Sequence, residues 1–94
     1  MKAGIKKRAL HRTKILQGQM KGLEKLIDDE KYCMDILTQS LAIQRSLGSL
    51  NKLELENHLR THIVADFSTD DDVRKDKALI ELLGLYDIAQ IKSK

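Results

Sequence analysis

No proline occurs anywhere in the 94 residues, so nothing in the chain forces a helix to stop. Leu, Lys, Glu and Gln are abundant and β-branched residues are few, which favours helix almost throughout, with breaks at two acidic clusters, Asp28-Asp29-Glu30 and Asp70-Asp71-Asp72. The pattern predicts an all-α chain of three helices over roughly 4–27, 31–63 and 71–91, with a long central helix. No internal repeat or composition shift divides it, and residues 1–94 read as one domain. Asp28-Asp29 are expected to cap the second helix, and Ser68-Thr69 to cap the third, with Asp71-Asp72 suiting its positive start.

The central stretch carries Ile36, Leu37, Leu41, Ile43, Leu47, Leu50, Leu53, Leu55, Leu59 and Ile63. These cover more than one stripe of a helix, and such a helix needs more than one covering partner. Two further helices are all this chain has to offer, so a second copy is the expected cover.

Potential metal donors lie on the same stretch. His58 and His62 are spaced i, i+4 and share a helix face, an arrangement that suits two imidazoles on one ion. Cys33 is twenty-five residues upstream, about 37 Å along an unbroken helix. If two copies of the helix pair antiparallel, placing Cys33 opposite the middle of the histidine pair makes facing residue numbers add to 93. The two-fold axis then crosses near residues 46–47, in Ser46-Leu47-Gly48, and creates two equivalent sites, each with Cys33 from one chain and His58 plus His62 from the other. A turn at Gly48-Ser49 is the alternative, folding the stretch into a hairpin that joins the donors within one molecule. One thiolate and two imidazoles suit Cu(I), Zn(II), Ni(II) or Co(II), and exclude calcium and magnesium. A single cysteine forms no internal disulfide and would act as a thiolate in a reducing compartment.

Charge is distributed unevenly. Lys2, Lys6, Lys7, Arg8, Arg12, Lys14, Lys21 and Lys25 precede residue 28, opposed there by Glu24 alone. Lys7, Lys14, Lys21 and Lys25 fall on the side of the first helix opposite an apolar stripe of Ala9, Leu16, Met20, Leu23 and Ile27. Such a basic ridge is either a solvated face or one that binds a polyanion. Gly18 and Gly22 lie close to it, where close backbone approach to a neighbour or a phosphate would explain their helix-weakening presence. The third helix has an apolar face of Leu79, Leu82, Leu83 and Tyr86 that closes a core, and the lysines after it are expected to be solvated. No run of apolar residues is long enough to span a membrane, and the basic N-terminus lacks the apolar segment of a secretory signal, so a cytoplasmic protein is expected. A catalytic Cys–His reading lacks a glycine-rich loop and a substrate pocket, so no enzyme is expected.

Three segments together resemble the CsoR/RcnR family of bacterial metal-responsive repressors. They are Arg12-Thr13-Lys14-Ile15-Leu16-Gln17-Gly18-Gln19-Met20-Lys21-Gly22-Leu23, Asp29-Glu30-Lys31-Tyr32-Cys33-Met34-Asp35-Ile36-Leu37-Thr38-Gln39, and Asn57-His58-Leu59-Arg60-Thr61-His62. The resemblance implies a helical antiparallel dimer assembled as a dimer of dimers, a homotetramer that binds double-stranded operator DNA without a helix-turn-helix and releases it when metal fills sites between subunits. It implies metal ligation by Cys33, His58 and His62, a DNA contact by Arg12, and de-repression of metal-efflux or detoxification genes; the basic face adds Lys14 and Lys21, with Lys7 and Arg8, as expected DNA contacts. Copper-sensing members mostly place cysteine where this chain has His62, and nickel or cobalt sensors mostly place histidine there. Nickel and cobalt sensors add an N-terminal histidine, whose matching place here is Met1. Tyr32 and Glu81 match the tyrosine and glutamate that connect the metal's histidine to the rest of the assembly in the copper branch. These matches and ligand softness favour Cu(I) over Ni(II), Co(II) and Zn(II). The formaldehyde-sensing branch pairs its cysteine with an N-terminal proline, and with Lys2 in that region and no proline that reaction is not expected here. The alternatives are a Ni(II)/Co(II)- or Zn(II)-responsive repressor of the same family, or a cytosolic copper-binding helical bundle with no DNA role.

Overall fold

A computed structural model of the chain describes Met1 and residues 3–91; Lys2 and the tail lysines Lys92 and Lys94 lie outside the described residues. The described backbone is helical with short connections. Helix α1 spans Ala3–Asp28 and α2 spans Cys33–His58. A π-helical turn follows at Leu59–Ile63, then the short α3 at Val64–Phe67 and finally α4 at Asp72–Ile91. No helix among the described residues is long and apolar enough to cross a membrane.

The chain forms two compact units, Met1–Asn57 and His58–Lys94. In the first, α1 and α2 make a helical hairpin whose buried residues are Leu16 from α1 and Ile43 and Leu53 from α2. The helices approach closely at Gly22, where an added Cβ would lie 3.3 Å from Gln39 Nε2. That amide donates to the Gln19 carbonyl across the hairpin at 2.9 Å. Of the expected α1 stripe, Leu16 is buried and Ala9 and Leu23 are half-buried, whereas Met20 and Ile27 stay exposed in a single chain.

The end of α1 is set by backbone geometry. Glu30 takes a left-handed conformation, φ 50°, while the Lys31 N–H reaches the Leu26 carbonyl at 2.9 Å and the Glu30 N–H reaches Ile27 at 3.0 Å. This Schellman arrangement satisfies carbonyls that the helix end leaves open. Asp28 is the last residue of α1 rather than a cap for α2, contrary to the sequence expectation. Helix α2 instead begins under the Tyr32 carbonyl, which accepts from Asp35 N–H at 2.9 Å and Ile36 N–H at 3.3 Å.

In the second unit Ile63 and Ala78 are buried. The cap of α4 is Asp71, whose Oδ1 accepts from the N–H groups of Val73 at 3.0 Å and Arg74 at 3.3 Å. The two hydroxyls expected in that role serve elsewhere. Ser68 Oγ donates back to the Val64 carbonyl at 2.6 Å, and Thr69 Oγ1 donates to the Asp66 carbonyl at 2.9 Å. Asp71 wins because its carboxylate sits one residue before the first helical residue, where it reaches two open N–H groups at once. Arg74 Nη2 also meets Asp66 Oδ1 at 2.9 Å, linking α4 to α3.

Candidate metal centre and basic face

Helix α2 runs unbroken through Gly48 and Ser49 to His58, which excludes the hairpin that would have folded Cys33 back onto the histidines. One glycine without a turn partner costs a helix only about 1 kcal/mol, and the apolar spacing continuing through it outweighs that. Cys33 is therefore the first residue of a helix that reaches His58 after about 37 Å of rise. It is a free, exposed thiol. Among the described residues no three side chains of the His, Cys, Asp and Glu types are grouped so as to hold a metal ion.

The histidines and Glu81 do come together. His58 closes α2, and His62 lies in the π-helical turn that follows. A π turn closes i→i+5 rather than i→i+4 hydrogen bonds, a wider winding frequently found at functional sites. Across it the two imidazole rings stand 5.0 Å apart, centroid to centroid, tilted by 36°. The Nε2 atom of His58 is shielded from solvent and lies 2.6 Å from Glu81 Oε1 of α4 without an aligned hydrogen bond. A carboxylate there sets which ring nitrogen faces outward: with Nε2 occupied by Glu81, Nδ1 is the atom left for another partner. His62 is exposed. Tyr32, just before Cys33, is exposed as well and contributes its backbone carbonyl to the start of α2.

On α1 the basic residues divide into two groups. At about 100° per residue, Lys7, Lys14, Lys21 and Lys25 lie within about 40° of one another, and all four are exposed. Arg8 and Arg12 lie about 100–140° round from Lys7, toward α2. They line a groove of ≈ 370 Å³ with Ser49, Lys52, Leu53 and Glu56, and Arg12 is half-buried there. The sequence expectation of one ridge thus becomes a lysine ridge flanked by an arginine groove. Lys52 is a basic residue the sequence reading missed. Its signal was available in the antiparallel hairpin, which sets this part of α2 beside the start of α1. Gly18 has open space beside it and Gly22 has the amide of Gln39, so only Gly22 marks a close approach within the chain.

Residues 5–87 match the model of a family described as metal-sensitive transcriptional repressors. A copper-sensing transcriptional repressor CsoR of Bacillus subtilis is 33% identical over 76 residues, 81% of this chain and 72% of that protein. Its counterpart in Mycobacterium tuberculosis is 38% identical over 56 residues, 60% of this chain and 47% of that protein. The chain spans about half the length of the mycobacterial relatives it matches. Among solved structures, a variant of the formaldehyde-responsive regulator FrmR from Salmonella enterica serovar Typhimurium superimposes with a TM-score of 0.77 at 26% identity, covering 93% of this chain and 96% of that one. The copper-sensing repressor CsoR with Cu(I) from Geobacillus thermodenitrificans gives 0.73 at 26% identity, covering 100% of this chain and 92% of that one. A helical chain with a basic first helix, an exposed Cys33 and a carboxylate-backed histidine pair, matched over nearly its whole length, belongs to the family of metal-sensitive transcriptional repressors.

Proposed function

We propose that the chain is a cytosolic repressor that binds operator DNA without metal and releases it in response to Cu(I). The observation that carries this reading is the His58–His62 pair at 5.0 Å with Glu81 against His58 Nε2, in a family whose relatives include proteins named as copper sensors. Cys33 of one protomer, with His58 through Nδ1 and His62 of its partner, would hold the ion. A thiolate with two imidazoles is a soft enough set for Cu(I), and less selective against Ni(II), Co(II) and Zn(II). Held there, a metal would tie the two chains together through these three side chains. The separation of Cys33 and His58 along one unbroken helix supports a site shared between protomers. So does the open surface around Leu47 and Gly48, where the two-fold axis is expected.

The residues of the chain then divide the work. Lys7, Lys14 and Lys21 present charge to phosphates, and Arg8, Arg12 and Lys52 form an adjoining groove suited to the same backbone. Glu81 holds the orientation of His58, so a change at the ligands is felt by α4 and by the π turn. Metal and DNA act on one equilibrium: each weakens the other by the same factor, typically 1–3 kcal/mol of coupling.

The test is a binding isotherm on a duplex taken from upstream of the protein's own gene, with and without Cu(I) under anaerobic conditions. Loss of affinity on adding Cu(I) is expected. Unchanged affinity would sink the de-repression reading, and absence of any duplex binding would leave a copper-binding bundle. Parallel titrations with Ni(II), Co(II) and Zn(II) identify the metal: three-coordinate Cu(I) with strong ultraviolet charge transfer is expected, and octahedral Ni(II) would replace copper in the proposal.

A further inference from the structure

One titratable group on α1 is used by none of the roles above. His11 is exposed and shares a shallow concavity of ≈ 390 Å³ with Lys7, Arg8, Arg12 and Ile15. The lining contains four nitrogen bases or cations and no carboxylate. Its helical neighbours at i−4, i−3 and i+3 are Lys7, Arg8 and Lys14. From α2, the groups nearest this region are Lys52 and Glu56, which line the adjoining groove that shares Arg8 and Arg12. His11 therefore sits between the lysine ridge and the arginine groove, on the surface assigned to phosphates.

We propose that His11 is a protonation-dependent phosphate contact, which makes the affinity of this face for double-stranded DNA rise as pH falls. The inference rests on the DNA-binding reading and adds a residue and a pH response to it. A neutral imidazole among cations offers one N–H donor to a phosphate oxygen, whereas an imidazolium offers two donors and a full charge. A phosphodiester placed in the concavity favours the charged form. Binding thus takes up protons. The added affinity is present at mildly acidic pH, where imidazoles carry a proton, and is lost as pH rises. In an oligomer that sets several α1 helices along one duplex, each engaged His11 adds its own proton.

Two variants on an exposed site test this without endangering the fold. Anisotropy titrations of the metal-free protein with the same upstream duplex, at fixed salt and at about pH 6 and pH 8, compare wild type with H11Q and H11K. The wild-type chain is expected to gain on the order of ten-fold in affinity from the alkaline to the acid end of this range. H11Q should lose that component while matching wild type at the alkaline end, and H11K should bind tightly at both. His58 and His62 are present in all three proteins, so any contribution from them cancels in the comparison. If H11Q keeps the wild-type pH response, the His11 proposal is overturned while DNA binding stands. If no protein binds the duplex at any pH, both readings fail together.

Discussion

At the scale of single residues, the contact between Glu81 and His58 separates ligand support from ligation. Glu81→Gln keeps the shape of the side chain but removes the charge beside Nε2. Cu(I) affinity, measured by competition with a chromogenic chelator, is expected to fall roughly 10–100-fold, with helical content unchanged. Equal affinity in the variant would mean that the carboxylate does not support His58. The two glycines of α1 give a second residue-level test. Alanine at either position gains about 1 kcal/mol of helix propensity. At Gly18 nothing lies within 4 Å of the new methyl, so Gly18→Ala should show that gain in urea unfolding. At Gly22 the methyl would press on Gln39 Nε2 at 3.3 Å and disturb its bond to Gln19, a loss of about 1 kcal/mol. Gly22→Ala should therefore come out near neutral, and equal gains in the two variants would show that the Gln39 contact carries no weight.

Among the elements, the boundaries that depend on one conformation make the sharpest predictions. Glu30 holds φ 50° at the position where glycine is strongly preferred, because a side chain there crowds its own backbone. Glu30→Gly is expected to stabilise the chain by about 1 kcal/mol, read as a higher urea midpoint. Asp71→Ala removes the acceptor for two N–H groups of α4 and should cost about 1 kcal/mol; the same substitution at Asp70 should cost little. These sites also show what sequence could and could not give. The helical stretches were legible because apolar residues recur at helical spacing, and the end of α1 at Asp28 and the start of α4 at Asp72 lie within a residue of expectation, whereas the central helix expected to reach residue 63 ends at His58 and gives way to the π turn. The choice of cap was not legible, because a run of three aspartates after two hydroxyls offers several equivalent acceptors and only backbone angles select one. The π turn was equally hidden, since Leu59–Ile63 would suit an α-helix as well. The spacing of His58 and His62 was legible as a pair, while their neighbour Glu81, twenty-three residues on, came only through resemblance, because its approach is tertiary. Lys52 escaped notice because an isolated lysine gains meaning only beside Arg8 and Arg12.

For the whole molecule, the decisive quantity is how little a single chain buries. Among the described residues only Leu16, Ile43, Leu53, Ile63 and Ala78 are buried apolar residues, while Met34, Leu37, Leu41 and Leu47 of α2 stay exposed. Full burial of one such leucine is worth about 2 kcal/mol, so covering that face with a second α2 outweighs much of what the isolated protomer gains from its own core. Stability should then depend on protein concentration, the melting temperature rising with dilution reversed. Leu41, 57% exposed, is the place to interrupt the cover: Leu41→Glu puts a charge on the face without disturbing the buried side of α2. Sedimentation should show a smaller species. If the proposed site joins Cys33 of one protomer to the histidines of its partner, Cu(I) binding should be lost with the assembly, and DNA binding with it. Lys21→Glu is the counterpart. It should leave sedimentation and copper affinity as they are, lower DNA affinity, and flatten its salt dependence by about 0.9 in log–log slope for each phosphate contact removed. A Leu41→Glu chain that sediments as a smaller species yet keeps full copper affinity would place the donors within one protomer, which the unbroken α2 does not allow.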